Sequence, residues 1–370
     1  MTPTSSFNLD DGSMLSAGGA LAIALCLTAS WLILRHAAPI ADKLGLIDRP
    51  NEARKIHARP TPRMGGLAFF ATLLISAGLS AFDHAPDRLL VWGAGLVGFH
   101  FVMGAIDDRR GLSASLRLVL SIAAVGLTLA CNDELIIHTI RLGATFGVEI
   151  PRLAALVLTT LGIVFFIFSV NFMDGRNGIL GVNALWWLAL LQAMTNILPI
   201  WAFLAAAVTL LAFLRFNLRG LLFAGDGGAY VVGSGIAMLA LAAYARRPDT
   251  MAFDQLMVLF LLPVLDAARV LLRRLWLRMR PFQPDNSHLH HVLWRRAGDR
   301  GAARLYTAAI IVPSTLAALL PTLALPILGA AIGFFFMLVY WPTEPLAQTT
   351  RAWRYVRPML ARHNAVSAEA

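Results

Sequence analysis

Charged side chains are scarce in this chain. Only 14% of its 370 residues are charged, whereas 58% are hydrophobic and the mean hydropathy is +0.68. A soluble domain with this composition would expose too much apolar surface to stay in solution. The sequence therefore predicts an integral membrane protein.

Cysteine is almost absent. The two cysteines, Cys26 and Cys131, lie in or beside apolar segments and lack the spacing of a disulfide or a metal site. We interpret both as packing residues. A basic segment of the kind that opens a cleaved signal peptide is also missing before Met14, which predicts that the first apolar stretch remains as a helix.

Acidic residues are outnumbered, and the formal net charge is +10. A basic excess can indicate nucleic-acid binding, but no nucleic-acid-binding motif accompanies it. Basic residues in membrane proteins usually mark cytosolic loops next to anionic lipid. The sequence thus predicts the lipid bilayer as a partner and excludes nucleic acid.

Apolar stretches long enough to span a bilayer, which takes about 20 residues, recur along the chain. They lie near 14–35, 65–82, 88–106, 113–131, 152–171, 228–245 and 252–272. The uncharged run after Arg176 holds two more, with a break at 196–199, and the run after Arg304 holds another two, with a turn at Pro321. The sequence predicts an all-α, polytopic membrane protein with about 11 transmembrane helices.

The distribution of basic residues predicts the orientation. An odd number of spans puts the termini on opposite sides, and an N-terminus outside leaves most of the 31 Lys and Arg residues inside. The outside set is Arg88, Arg141, Arg152, Arg246 and Arg247. We therefore predict a periplasmic N-terminus, a cytosolic C-terminus, a transmembrane catalytic domain over 1–345 and a basic cytosolic tail over 346–370.

Two adjacent aspartates, Asp107 and Asp108, follow the third predicted span at its inner end. Adjacent carboxylates raise one another's pKa unless a cation neutralises them. One interpretation is Mg²⁺ binding or deprotonation of a substrate phosphate. The alternative is a solvated loop in which the aspartates pair with the arginines that follow.

Two acidic, glycine-rich turns are predicted at the same membrane face. In the first, Asn171 and Asp174 occupy the last turn of a helix before Gly175 and Gly178; in the second, Asp226 lies among three glycines at the start of a helix. Amides at a helix N-terminus bind phosphate, and a neighbouring aspartate can hold its Mg²⁺. Each turn taken alone is also explained as a glycine turn with a capping aspartate.

The long basic loop over 278–291 ends in His288, His290 and His291. Cationic and imidazole donors suit a nucleotide diphosphate. Two alternatives remain, a zinc site, although no cysteine lies nearby, and a solvated loop.

The first inside loop, over 45–66, mixes basic residues with prolines. It either forms a lipid-facing basic patch or orders itself over the active site and brings Lys55 and His57 to an anionic substrate. Asp266 and Arg269 are interpreted as an ion pair within the ninth span. Asp266 is kept as a secondary candidate.

Five patterns in this order resemble the polyprenyl-phosphate N-acetylhexosamine-1-phosphate transferase superfamily, over about Gly45 to Arg300. They are the Gly-Leu-Ile-Asp-Arg-Pro loop at 45–50, Asp107-Asp108, the turn at 171–178, Gly225-Asp226-Gly227 and the histidine loop. Within the superfamily, the segment 281–291 looks like the UDP-GlcNAc:undecaprenyl-phosphate branch. The MurNAc-pentapeptide branch instead follows its histidines with an acidic residue, where this chain has Val292.

The resemblance implies roles for individual residues. Asp107, Asp108 and Asp174 would be catalytic, Asp226 and Asp108 would bind Mg²⁺ (with Mn²⁺ as the alternative), and Lys55, His57, Arg117, Asn171, Asn177, His288, His290 and His291 would contact substrate. Two positions depart from the family pattern. Asn177 stands where an aspartate is usual, and Arg117 stands where the translocase branch has lysine.

The resemblance further implies a UDP-N-acetylhexosamine donor, most simply UDP-GlcNAc, an undecaprenyl phosphate acceptor and release of UMP at the cytosolic face of a bacterial inner membrane. The product would start a cell-envelope polysaccharide such as O-antigen, and a homodimer is expected. Sister transferases use other UDP-N-acetyl sugars or phospho-MurNAc-pentapeptide. A secondary transporter, whose carboxylates would normally lie near the bilayer midplane, and an inactive scaffold are the alternatives from other classes.

Overall fold

The computed structural model describes residues 17–50, 59–83, 88–143, 146–281 and 286–340, and its architecture in these ranges is all-α, as predicted. The helices are α1 (Ala17–Arg35), α2 (Ala37–Leu44), α3 (Gly65–Asp83), α4 (Arg88–Arg110), α5 (Ala114–Ala130), α6 (Arg152–Met173), α7 (Ile179–Thr195), α8 (Ile200–Asn217), α9 (Gly225–Arg246), α10 (Phe253–Trp276), α11 (Leu289–Leu319) and α12 (Ala324–Tyr340). The predicted tail over 346–370 lies outside these ranges.

Within the described ranges, eight helical segments are long and apolar enough to cross a membrane. The shorter helices at Gly65–Ala81, Ala114–Ala130 and Ile179–Thr195 are apolar as well. Every stretch that the sequence predicts as a span is therefore helical. The chain is a multi-pass membrane protein, while the number of crossings and their direction stay predictions.

The predicted break between α7 and α8 is present and has a local cause. Asn196 adopts a left-handed conformation with φ of 46°, which ends α7. The side chain of Gln192 donates to Asn196 Oδ1 at 2.7 Å and accepts from the Leu198 amide at 3.0 Å. Pro199 then opens α8, where its missing amide hydrogen costs nothing.

Helix α9 lies at the centre of the bundle. In its most apolar stretch 83% of the residues are buried, against 22% for the segment that contains α12. Glycines allow two helices to approach α9 closely. A Cβ on Gly104 of α4 would lie 2.5 Å from the Gly227 Cα, and one on Gly66 of α3 would lie 2.5 Å from the Gly228 nitrogen. Such small-residue contacts are typical of helix packing in membranes.

At the C-terminal end of α9 the described parts of the polar stretch, 132–143 and 146–150, form ordered structure that the sequence analysis does not predict. A short 3₁₀ helix over Asp133–Leu135 precedes a hairpin of β3 (Thr139–Leu142) and β4 (Phe146–Glu149). The Tyr244 hydroxyl donates to the Thr139 carbonyl at 2.6 Å and joins the hairpin to α9. We call this end of the bundle the hairpin end.

At the opposite end, the first loop folds back onto the start of α9. Strand β1 (Ile47–Asp48) pairs with β2 (Thr61–Pro62), and the Phe223 amide donates to the Pro62 carbonyl at 2.9 Å. The base of this loop thereby lies against the first turn of α9. Residues 51–58, which include the predicted substrate contacts Lys55 and His57, lie outside the described ranges.

Candidate active site

Four aspartates that are far apart in the sequence converge at one end of the bundle. Asp107 and Asp108 occupy the last turn of α4, Asp174 follows α6 directly, and Asp226 lies in the first turn of α9. The predicted third span ends at residue 106, but α4 continues to Arg110, so the adjacent pair is helical and does not begin a loop. We call this end of the bundle the aspartate end.

Asp107 is held by Arg117 of α5. Its Oδ2 accepts a short hydrogen bond from Arg117 Nη1, and its Oδ1 accepts from the Leu112 amide at 2.7 Å. The same Nη1 lies 3.3 Å from the Tyr230 hydroxyl and 3.7 Å from Asp226 Oδ2. Arg117 therefore links the carboxylates of two helices.

Asp108 is held by the first loop and by α9. Its Oδ1 accepts from Arg63 Nη1 at 2.9 Å and its Oδ2 from the Gly227 amide at 3.1 Å. Arg63 also donates to Asp48 at 2.7 Å. Although burial favours a neutral guanidine, Asp108, Asp48 and Asp226 raise the pKa of Arg63 above its ordinary value, so Arg63 remains a cation.

Gly225 is required where Asp108 meets the start of α9. It has φ of 74°, and a Cβ there would lie 2.6 Å from Asp108 Oδ2. Glycine alone accommodates both constraints at low cost.

Among Asp107, Asp108 and Asp226, Asp226 has the most exposed side chain. Its side chain is 37% exposed, against 6% for Asp107 and 4% for Asp108. Asn171 Nδ2 donates to Asp226 Oδ1 at 3.0 Å. The predicted association of the turn at 171–178 with Asp226 is therefore observed, and Asn171 orients the carboxylate.

Asp174 is half-buried, and no side chain of the described residues pairs with its carboxylate. Burial and the neighbouring carboxylates of Asp226 and Asp108 raise the pKa of Asp174 well above its ordinary value. An unpaired carboxylate beside two others is a natural point for a cation to bind.

Asn177, the departure from the family pattern, does not join the four aspartates. It is exposed and its amide lies near Gly220, where an added Cβ would be 3.5 Å from Nδ2. Gly178 turns the chain back into the bundle with φ of 88°, and its amide donates to Asn217 Oδ1 at 2.7 Å. The position of Asn177 explains how the missing carboxylate leaves the cluster intact.

The histidine loop docks against the turn at 171–178. His288 and His290 are buried, and their parallel rings lie 5.9 Å apart. The ring of His290 fills the space beside Gly175, where a Cβ would lie 2.1 Å from Nε2. His291 is half-buried and its ring centroid is 4.1 Å from that of His290. The histidines therefore adjoin the aspartate end, as predicted.

The predicted ion pair between Asp266 and Arg269 is confirmed, with Arg269 Nη2 2.7 Å from Asp266 Oδ1. Asp266 also accepts from His288 Nδ1 at 3.0 Å. This second contact, between α10 and the histidine loop, is not foreseen by the sequence analysis.

The carboxylates carry more charge than their cationic partners neutralise. In the part of the chain that the structure describes, Arg63 and Arg117 pair with Asp107, Asp108 and Asp226, and Arg63 is shared with Asp48. Hard oxygen donors with surplus negative charge suit Mg²⁺, which usually takes one or two protein carboxylates and completes its shell with water and substrate phosphate.

In the described ranges, no group of three or more His, Cys, Asp or Glu side chains is placed so that it could hold a metal ion together. The zinc interpretation of the histidines thus finds no support in these ranges. For Mg²⁺ the donor set fits, because Asp226 is accessible, Asp108 lies beside it, and a diphosphate would supply the remaining oxygens.

Sequence reasoning misses three residues of this cluster, namely Arg63, Asp48 and Tyr230. Asp48 belongs to the Gly-Leu-Ile-Asp-Arg-Pro pattern, one of the five that carry the family resemblance. This is the signal by which the sequence could have identified it. Arg63 stands directly before Met64-Gly65-Gly66, at the end of the loop in which Lys55 and His57 are the predicted substrate contacts. Tyr230 offers no signal, because one tyrosine in an apolar helix resembles any packing residue.

Comparison with known proteins gives a family. A profile described as Glycosyl transferase family 4 matches residues 90–244, which contain all four aspartates. An undecaprenyl-phosphate alpha-N-acetylglucosaminyl 1-phosphate transferase of Yersinia pestis is 30% identical over 284 residues, covering 72% of this chain and 74% of the relative. Its counterpart in Escherichia coli K12 is 28% identical over 282 residues, covering 71% and 73%. A decaprenyl-phosphate N-acetylglucosaminephosphotransferase of Mycolicibacterium smegmatis is 28% identical over 285 residues, covering 69% and 70%.

Proposed function

Because the chain belongs to glycosyl transferase family 4, we propose that it transfers N-acetylhexosamine 1-phosphate from a UDP-sugar to undecaprenyl phosphate and releases UMP. The observation that carries the proposal is the convergence of Asp107, Asp108, Asp174 and Asp226 at one end of a membrane bundle. GlcNAc is the proposed sugar, because the names of the similar proteins specify it.

In the proposed reaction an oxygen of the lipid phosphate attacks the β-phosphorus of the UDP-sugar. A new phosphoanhydride bond forms while the bond between the β-phosphorus and the UMP oxygen breaks, and UMP leaves with that electron pair. Since one phosphoanhydride replaces another, the reaction is expected to be reversible. Phosphoryl transfer of this kind depends on positioning and on neutralising charge.

The side chains of the cluster divide these tasks. Asp226 and Asp108 would hold Mg²⁺, which when bound neutralises charge on the diphosphate. Arg117 is placed between Asp107 and Asp226, where its guanidinium meets an anionic substrate entering from the lipid side or the water side. Asp107, fixed by Arg117 and the Leu112 amide, is the proposed acceptor for a proton on the lipid phosphate.

The membrane arrangement is part of the proposal. We propose eleven spans with the aspartate end at the cytosolic face of a bacterial inner membrane, where UDP-sugars are available. The distribution of basic residues supports this orientation. Residues 1–345 would form one catalytic domain, a basic tail would lie in the cytosol, and two copies would form a homodimer.

The transporter alternative fits the geometry less well. Asp107 and Asp108 lie in the last turn of α4, and Asp226 lies in the first turn of α9. Coupling carboxylates of transporters normally lie near the bilayer midplane, in broken helices. The inactive-scaffold alternative would leave no reason for buried carboxylates in such number, since each is costly in a membrane protein.

A transfer assay tests the proposal. Purified protein is incubated in detergent with undecaprenyl phosphate, Mg²⁺ and UDP-GlcNAc labelled in the sugar, and labelled lipid and UMP are measured. We expect both products from the wild type and neither from Asp226→Asn. Transfer from a different UDP-N-acetyl sugar alone would correct the donor, and inactivity with every UDP-sugar would overturn the proposed reaction.

A further inference from the structure

The inner part of α10 holds the histidine loop at both of its ends. Near the start of the loop, Arg274 Nη1 donates to the Pro281 carbonyl at 2.7 Å. Near its end, Arg269 Nη2 donates to the Ser287 carbonyl at 2.5 Å. Asp266, Arg269 and Arg274 all lie in the second half of α10, so one helix contacts the entry and the exit of the loop.

Asp266 accepts hydrogen bonds from several partners at the end of the loop. It is 3% exposed, and both of its oxygens lie 3.0 Å from the Leu289 amide, the first of α11. Oδ2 also receives His288 Nδ1 at 3.0 Å, and Oδ1 receives Arg269. A carboxylate at such depth is stable only with partners of this kind.

The contact with Asp266 determines the hydrogen positions on His288. A carboxylate only accepts hydrogen bonds, so Nδ1 must carry the hydrogen. No described residue bonds to His288 Nε2, which is left for a ligand. The ring of Phe172, between Asn171 and Asp174, lies 5.5 Å from the ring of His288 and places it beside the aspartate end.

We infer that Asp266, supported by Arg269, is a positioning residue that fixes the tautomer and orientation of His288, so that the unprotonated Nε2 accepts a hydrogen bond from a hydroxyl group of the substrate. This inference rests on the proposed function. A carboxylate behind a histidine is a general device for orienting an imidazole, and in sites where the histidine binds a metal its loss costs about ten- to a hundredfold in metal affinity or activity.

Asp266→Asn separates this role from packing. The amide keeps the shape of the side chain, and its oxygen can still accept from Leu289. Its nitrogen can only donate, so His288 Nδ1 must become the acceptor and the hydrogen moves to Nε2. The variant therefore retains the loop contact and reverses the tautomer.

The first experiment is a double-mutant cycle in the transfer assay. We expect Asp266→Asn to lower kcat by about ten- to a hundredfold, and to cause no further loss beyond about twofold in a His288→Gln background. A purely structural role predicts multiplied losses in the double variant, and such losses would overturn the inference. Arg269→Gln should show the same dependence on His288 with a smaller effect, and it replaces Asp266→Asn if that variant does not fold.

The matched control is Asp254→Asn. Asp254 is also buried in α10, at 1% exposure, but it bonds the Gly143 and Gln255 amides at the hairpin end. We expect this variant to keep wild-type kcat. Equal losses from Asp254→Asn and Asp266→Asn would contradict a specific role for Asp266.

A second readout does not depend on transfer activity. In protein labelled with ¹⁵N-histidine, the His288 signal, assigned by its loss in His288→Gln, should show hydrogen on Nδ1 in the wild type and on Nε2 in Asp266→Asn. An unchanged signal would refute the inference. If the wild type transfers no sugar but the tautomer reverses, the proposed function fails and the positioning role remains.

Discussion

The two ends of the bundle differ in how their acidic side chains are paired with cations. At the hairpin end, Asp133 pairs with Arg152 at 2.7 Å and Glu134 with Arg246 at 3.1 Å. Arg141 lies over the ring of Tyr244, 3.9 Å from its centroid. Each of these acidic side chains has its own cation, as expected of charges that only stabilise a fold.

At the aspartate end, three of the four aspartates, Asp107, Asp108 and Asp226, share the cations of Arg63 and Arg117. One of the four, Asp174, pairs with no side chain in the described ranges, and its pKa is raised by burial and by its neighbours. Surplus charge of one sign destabilises a fold, and the proposed divalent cation would neutralise it. The contrast between the two ends distinguishes charged side chains that stabilise the fold from those that we propose to bind a cation.

The largest expected effect comes from removing one surplus carboxylate. Asp108→Asn should lower kcat by about a hundred- to a thousandfold, because Asp108 faces both the Gly227 amide and the site proposed for the diphosphate. Glu134→Gln at the hairpin end should leave kcat within about twofold, as is usual for exposed pairs. Equal losses of transfer activity in the two variants would contradict the distinction between the two ends of the bundle.

The next effect comes from a cation that joins the loop to the cluster. Arg63→Ala should lower kcat about tenfold or more, because it removes the guanidinium that pairs with both Asp108 and Asp48. Arg59→Ala, an exposed cation of the same loop, is the control and should behave as wild type. If the two variants are alike, Arg63 does not belong to the site.

A steric variant tests the close approach that assembles the cluster. Gly104→Ala places a methyl group 2.5 Å from Gly227 and should destabilise the fold by about 1–3 kcal/mol, with loss of transfer activity. Gly95→Ala in the same helix meets nothing within 4 Å and should be neutral or stabilising. Unfolding in detergent distinguishes them, and equal stability would show that α4 and α9 adjust.

The smallest effect concerns pH. A raised pKa in the folded state means that Asp174 contributes stability below its unfolded value of about 3.9, and that this stability is lost as pH rises through the folded value. Asp174→Asn should therefore unfold at a higher temperature than wild type at pH 8 in EDTA. Near pH 4 the difference should disappear, and Mg²⁺ should reduce it at pH 8. A wild type that is the more stable protein at pH 8 in EDTA would contradict the raised pKa.

Much of the fold is predictable because its signals are local. Apolar length gives the helices, and the proline-containing break at 196–199 divides one long run correctly. The hairpin over 139–149 is missed because two four-residue strands in a polar stretch carry too few alternating positions to stand out.

The site is predictable only in part because its contacts are long-range. Asp107, Asp108 and Asp226 stand out as acids in apolar surroundings. Arg63 lies 45 residues from Asp108, and Asp266 lies 22 residues from His288, so neither contact has a periodic signature. The sequence predicts the ion pair of Asp266 with Arg269, which is three residues away. It does not predict the contact with His288, on which the proposed positioning role depends.

We propose that the surplus charge at the aspartate end binds a divalent cation. Mn²⁺ serves as a probe, and its binding to the purified protein is followed by electron paramagnetic resonance with UDP-GlcNAc present. We expect one tightly bound Mn²⁺ per chain in the wild type and in Glu134→Gln, and its loss in Asp226→Asn. Equal binding by all three proteins, or binding by none, would contradict it.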